Sequence, residues 1–357
     1  MRIFILAVVA VLGAEIQGRA DNVVLVAGGG EGSENVPATK AKLFSPFGVD
    51  FDSAGNLYFL EIDGHRVCRI DKQGTLTRIA GTGQKGDSDG GGQPLAAQFN
   101  SMHSLAIAKN GDIYLADTLN HRICKLDAGG KRLSVFAGTE KGFGGDGGPA
   151  KAAKFSGIYC ICLDPAGERL YLADLDNRRV RMIDLKSGIV STVAGNGERG
   201  KPADGATAAS SPLVDPRAVA VDRSGNAYVL ERSGNALRVV DSQGKIRTVA
   251  GAGDKGLSGD GGDAVKATMN GPKHLCIDRD GSVLIADTEN HVIRRYSPTD
   301  GKITRVAGSG KRGDGGVPGP ALQVELNQPH GVFVHPSGDL YISDSTNKRI
   351  LKMERGN

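Results

Sequence analysis

Phe47, His103, Tyr159, Arg217, Lys273 and His330 recur about 56 residues apart, each five residues before a strand-ending position: Asp52, Ala108, Asp164, Asp222, Asp278 and His335. If the repeat closes on itself, these six side chains converge. Imidazoles supply a proton acceptor or a metal ligand, Lys and Arg attract anions, and the two aromatic rings add an apolar wall. Positive charge on Lys273 and Arg217 lowers the pKa of nearby imidazoles, which keeps His103 and His330 neutral. Those two are candidate zinc ligands. A catalytic zinc centre takes three protein ligands and an open position, however, and the first repeat offers Phe47 in the corresponding place. His274 is one residue out of register and is expected to face away.

The elements that position this ring are legible from a second series. Glu61, Asp117, Asp174, Glu231, Asp287 and Asp344 end apolar runs at the same interval, and each is followed by a second apolar run. A Val-Ala-Gly-like strand then ends at Gly81, Gly138, Gly195, Gly251 and Gly308. The sixth unit stops at Met353 without that strand, and a match to it stands at Val23 to Gly28. Runs of five to seven apolar residues separated by tight turns are strands. The chain therefore reads as an all-β, six-bladed propeller of four-stranded antiparallel blades, closed by the N-terminal strand 22–28 completing the last blade. The blades fall at about 46–81, 103–138, 158–195, 216–251, 272–308 and 329–353.

Local signals refine the plan. Three residues after each acid stand Gly64, Asn120, Asn177, Gly234, Asn290 and Asn347. Gly and Asn enter the left-handed region most cheaply, so a positive φ is expected there. Five residues after the acid stand Arg66, Arg122, Arg179 and Arg349, expected to pair with it, whereas Ala236 and Val292 occupy that place in blades four and five. Linker residues Asp146, Asp260 and Asp314 read as turn caps, and Asp87 with Asp89 is the one calcium candidate. Five Cys at equivalent or same-face positions argue for free thiols over disulfides.

Met1-Arg2, an apolar run from Ile3 to Gly13 and small residues at Gly18-Arg19-Ala20 read as a signal peptide over 1–20, with an uncleaved anchor as the alternative. The expectation is an exported protein, periplasmic or extracellular. A net charge of +4 gives too little basic density for nucleic acid, and zero Trp argues against a sugar-stacking lectin.

The runs Ala116-Asp117-Thr118-Leu119-Asn120-His121-Arg122-Ile123 and Ala286-Asp287-Thr288-Glu289-Asn290-His291, with the linker Gly144-Gly145-Asp146-Gly147-Gly148, closely resemble NHL repeats. That resemblance implies a six-bladed propeller and leaves activity open. Met102-His103-Ser104 and Pro329-His330-Gly331 also resemble two zinc-histidine positions of the peptidyl-hydroxyglycine amidating lyases, whereas the carboxylate that follows the second is Gly331 here. The favoured reading is a non-catalytic, monomeric binding module. It takes a protein, a peptide or a small polar ligand on the face that carries the long linkers. The alternative is a zinc-dependent lyase or hydrolase at the channel mouth.

Overall fold

The computed structural model describes residues 21–355; the leader expected over 1–20 lies outside the described residues. Six antiparallel sheets are arranged around a central channel. Blade three shows the plan, with strands at Ile158–Leu163, Arg169–Asp174, Arg179–Asp184 and Val190–Ala194 running from the channel outward. Neighbouring blades cover both faces of each sheet, which is why residues such as Leu170, Leu172 and Ala173 are all buried instead of alternating with exposed ones.

The ring closes as the repeat requires. Asn22–Ala27 pairs antiparallel with Arg349–Glu354, Val23 opposite Met353 and Leu25 opposite Leu351, so the last blade takes its outer strand from the start of the chain. Outer edges are covered too: Val36–Pro37, Ala206–Thr207 and Gly319–Pro320 each add a two-residue strand to the outermost strand of a blade. Pairing the edge in this way removes a template for aggregation.

The acidic series holds the upper face together. One carboxylate oxygen of each accepts an N–H from the linker arriving at the same blade, as Asn100 donates to Asp117 at 2.8 Å and Asn327 to Asp344 at 2.7 Å. Where the acid is Asp, the Asn three residues on donates to its other oxygen and to a linker carbonyl. Asn177 does so to Asp174 at 2.8 Å and to Gly142 at 2.7 Å.

Two expectations are corrected here. Positive φ falls one residue later than Gly64, Asn120, Asn177, Gly234, Asn290 and Asn347, at His65, His121, Arg178, Asn235, His291 and Lys348. The Asn series is there for its amide. Every acid of the series also has an arginine nearby, including those of blades four and five where Ala236 and Val292 stand at the expected place. Arg122 and Arg349 pair with their acids at 2.8 and 2.7 Å, and Arg66 pairs with Glu61. In blades three to five the guanidinium comes from two residues further along the strand, on the same face. Arg181 lies 3.7 Å from Asp174, Arg238 2.7 Å from Glu231 and Arg294 3.6 Å from Asp287. Arg179 instead donates to the carbonyls of Asn177 and Asn196.

Linker residues Asp146 and Asp260 are partners of the buried Arg181 and Arg294, at 2.6 and 2.9 Å, rather than turn caps. Asp89 does cap a short turn, accepting from the N–H of Gly91 at 3.0 Å. Among the described residues no cluster of three or more His, Cys, Asp or Glu side chains is placed to hold a metal ion, the Asp87 and Asp89 pair included.

Candidate binding site at the channel mouth

Each blade's inner strand starts at the top of the channel, and in four of the six blades a backbone irregularity there aims the mouth residue inward. In blade three Ile158 pairs with Asp174 and Cys160 with Ala173, which leaves Tyr159 as an extra residue outside the ladder. Arg217 and His330 are bulged in the same way, and Phe47 lies within a one-residue register shift between Pro46 and Val49. His103 and Lys273 immediately precede strands that begin at Ser104 and His274. A bulge re-aims a side chain that regular alternation would send elsewhere.

The six side chains meet. Phe47 lies between the two imidazoles, with ring centroids 5.1 Å from His103 and 4.2 Å from His330. His103 meets Tyr159 edge-on at 4.6 Å, and the Arg217 guanidinium covers the Tyr159 ring at 4.5 Å. Lys273 Nζ is 3.2 Å from His330 Nε2. Five of the six links around the mouth are thereby made. The sixth, between Arg217 and Lys273, joins two cations, and among the described residues no ring contact or hydrogen bond closes it.

Backbone carbonyls set both imidazole tautomers. A carbonyl oxygen only accepts, so His103 Nδ1–H donates to Ser101 and His330 Nδ1–H donates to Gln328, both at 2.7 Å. Each Nε2 then carries a lone pair. Burial is the main cause that holds both imidazoles well below their ordinary pKa; for His103 the charge of Arg217 comes next, and for His330 that of Lys273. Burial also brings Arg217 down to about 10 and lowers Lys273, the latter opposed by its 2.7 Å ion pair with Glu289.

This donor set does not fit a zinc centre. A phenyl ring separates the imidazoles, the Lys273 ammonium occupies the lone pair of His330, and among the described residues no third His, Cys, Asp or Glu joins the two imidazoles in a metal-holding group.

Below the mouth the channel holds a cavity of about 260 Å³, where polar side chains of one inner strand reach the backbone of the next. Asp50 accepts from Ile107 N–H at 2.8 Å, Ser104 from Ile161 N–H at 3.1 Å, and His274 Nδ1 from Val332 N–H at 3.3 Å. His274 thus lines the channel instead of facing away, because Lys273 takes the mouth position and the next residue turns to the neighbouring blade. Cys160, Cys162 and Cys276 line the same cavity as free thiols. Sequence reasoning missed this set of inter-blade contacts. Its signal is the recurrence of hydrogen-bonding side chains, Ser104, Cys160 and His274, one place after the mouth series in three blades.

Comparison with known proteins now bears on the family. The NHL repeat model matches residues 326–353, and the teneurin NHL domain model matches residues 151–258. The chain is an NHL-repeat propeller.

Among curated relatives, this NHL propeller is 28% identical over 330 residues to protein suppressor of quenching 1, chloroplastic, of Arabidopsis thaliana, with 87% of the chain and 30% of the relative covered. It is 29% identical over 271 residues to human NHL repeat-containing protein 2, covering 67% of the chain and 37% of the relative. The chain therefore spans well under half the length of either relative.

Two solved structures share the fold. An auxiliary nutrient binding protein from Bacteroides thetaiotaomicron superposes with a TM-score of 0.69 at 16% identity, covering 96% of this chain and 78% of that one. Virginiamycin B lyase from Staphylococcus aureus gives 0.51 at 15% identity, with 85% and 80% covered.

Proposed function

We propose that this NHL propeller is an exported, non-catalytic binding module that takes a polar ligand at the channel mouth, with the linkers and upper turns of the same face as the surrounding contact surface. The observation that carries this reading is the mouth itself. Six bulged or strand-starting residues from six blades meet there, with imidazole tautomers fixed by Ser101 and Gln328 and with cationic donors left over. Preorganised donors on a rigid scaffold lower the ordering cost of binding. The shared fold of a protein described as nutrient binding supports the class of function.

The test is a thermal-shift screen of small polar metabolites and short peptides on the purified protein, repeated on a Tyr159→Ala, His103→Ala variant. Ligands that stabilise the parent and not the variant are expected. Hits that stabilise both equally place binding elsewhere and defeat the proposal. Metal analysis of the same sample is expected to give substoichiometric zinc, and fractionation of the source cells to recover the protein outside the cytoplasm.

A further inference from the structure

We infer that the open joint between Arg217 and Lys273 is a binding site for the carboxylate of a small monoanionic ligand whose apolar body lies against Tyr159 and the neighbouring rings. This rests on the mouth-binding reading above and names its ligand chemistry.

Arg217 makes the case. Its side chain is buried, with only 4% of the residue exposed, yet among the described residues it forms no ion pair. Among the described residues its one hydrogen bond runs from Nη1 to the carbonyl of Tyr159 at 3.2 Å, out of five N–H donors on a guanidinium. Buried charges are ordinarily paired, because an unpaired one loses its hydration without compensation. An Arg held this way is poised for an anion that arrives from outside.

The cations around it are already matched. Arg232 donates to Asp215 at 3.2 Å, and Asp215 is further engaged by the N–H groups of Ser233 and Gly234. Lys273 is paired with Glu289, which Gln328 holds from its other side at 2.8 Å. Of the buried cations at the joint, Arg217 alone is left without a carboxylate among the described residues, Lys255 being exposed on the outer border of the recess, which suits a monoanion better than a dianion. Lys273 has used two of its three N–H donors, on Glu289 and His330, and can offer the third.

Geometry agrees with the class. A guanidinium fork matches a planar carboxylate in two parallel bonds. Tyr159 stacks beneath the guanidinium, and Phe47 and His103 continue the apolar wall away from the joint. Lys273 also borders a recess of about 520 Å³, shared with Arg232, Lys255, Asn270 and Glu289, so the Lys273 side of the joint adjoins open space.

The test is calorimetric titration with benzoate, its neutral isostere benzamide, and inorganic phosphate. Benzoate is expected to bind the parent, with benzamide and phosphate each at least about tenfold weaker, the range expected from losing a charge-assisted hydrogen bond. Arg217→Gln and Lys273→Gln are expected to weaken benzoate by at least about tenfold. Glu289→Gln is expected to tighten it, because a competing carboxylate is removed; a purely structural role for Arg217 predicts no such gain. The thermal midpoint of Arg217→Gln, taken without ligand, is expected to equal or exceed that of the parent, which separates lost binding from lost folding.

Equal binding of benzamide, undiminished in Arg217→Gln, overturns the carboxylate assignment and leaves mouth binding standing. Phosphate binding tighter than benzoate also overturns it. Failure of benzoate at millimolar concentration overturns it as well, and the metabolite screen then decides separately whether the mouth binds anything.

Discussion

Oε2 of Glu61 lies 2.5 Å from where a Cβ would stand on Gly64, and Oε2 of Glu231 lies 2.8 Å from the same point on Gly234. Blades with Asp at the acidic position have Asn three residues on, and blades with Glu have Gly. The longer acid fills the space that the Asn amide fills elsewhere, so the two positions vary as a unit. Gly64→Asn alone is expected to cost about 1–3 kcal/mol through overpacking. Adding Glu61→Asp should restore most of the loss by recreating the pair seen in blade two. Urea denaturation of the parent, both single variants and the double variant measures the coupling, and strict additivity of the two changes would show that they do not share the space.

The Asn blades carry the complementary test. Asn177 contributes two hydrogen bonds and has no positive φ, whereas Arg178 has a φ of 50°. Asn177→Gly is expected to lose about 1–3 kcal/mol with the two bonds, although Gly would be neutral or better if backbone conformation were the requirement. Arg178→Gly should be well tolerated, since Gly enters the left-handed region freely. Equilibrium melts that rank the two variants the other way round would return the backbone explanation to Asn177.

This pair shows what the sequence could and could not disclose. The recurrence of Gly or Asn marked a constrained place, but residue type alone does not separate a need for positive φ from a need for a side-chain amide. The acidic series, the strand order and the closing strand were legible because interval and apolar runs reveal them directly. The mouth series was legible only as positions, because the bulges that aim Tyr159, Arg217 and His330 inward leave no mark in hydrophobic patterning. The displaced arginines were within reach: Arg238 and Arg294 lie two residues beyond Ala236 and Val292, on the same face of the strand.

That displacement predicts an exchange. Removing Arg238 leaves Glu231, which is fully buried, without its 2.7 Å partner. Breaking a buried pair from one side typically costs about 3–5 kcal/mol, so Arg238→Cys is expected to lose stability on that scale. Ala236→Arg in the same chain gives blade four the Arg and Cys arrangement of Arg66 and Cys68, and is expected to recover part of the loss. Denaturation midpoints check this; no recovery in the double variant would mean that the two arginine positions are not equivalent.

Two channel residues should tilt the pH dependence in opposite directions. Burial, with repulsion from Arg217, lowers His274 to about 4, against an ordinary value near 6.5. The unfolded chain therefore takes up a proton that the folded imidazole refuses, and the His274 contribution is full above about 6.5 and is lost as pH falls toward 4. Asp50, raised by burial to about 7, holds its proton in the fold; its effect favours folding at low pH and fades as pH rises from about 4 to 7. His274→Asn offers an oxygen to the N–H of Val332 without titrating, so it should reduce the loss of stability on acidification. Asp50→Asn should reduce the loss on raising the pH toward 7. Stability measured at intervals from pH 4 to 7 decides both, and slopes unchanged from the parent would mean that these groups titrate alike in the folded and unfolded chains.

Closure of the ring makes the last strand a mechanical requirement. Val23 and Ala27 are fully buried, and Asn22–Ala27 covers the edge of Arg349–Glu354 while also receiving Gly319–Pro320. Deleting 22–28 exposes that edge and uncovers Leu351 and Met353, so a large fall in the thermal midpoint is expected, with aggregation through the free edge. The same reasoning says the strand need not come from the start of the chain. A circular permutant that joins the present C-terminus to Asp21 through a short linker, and opens the chain in the loop between Gly308 and Gly316, places the strand directly after its neighbour as in the other five blades. It is expected to fold and to melt close to the parent. A deletion variant as stable as the parent would refute closure by this strand. A permutant that fails to fold while the deletion variant behaves as expected would show that chain order, and not just pairing, is needed to complete the blade.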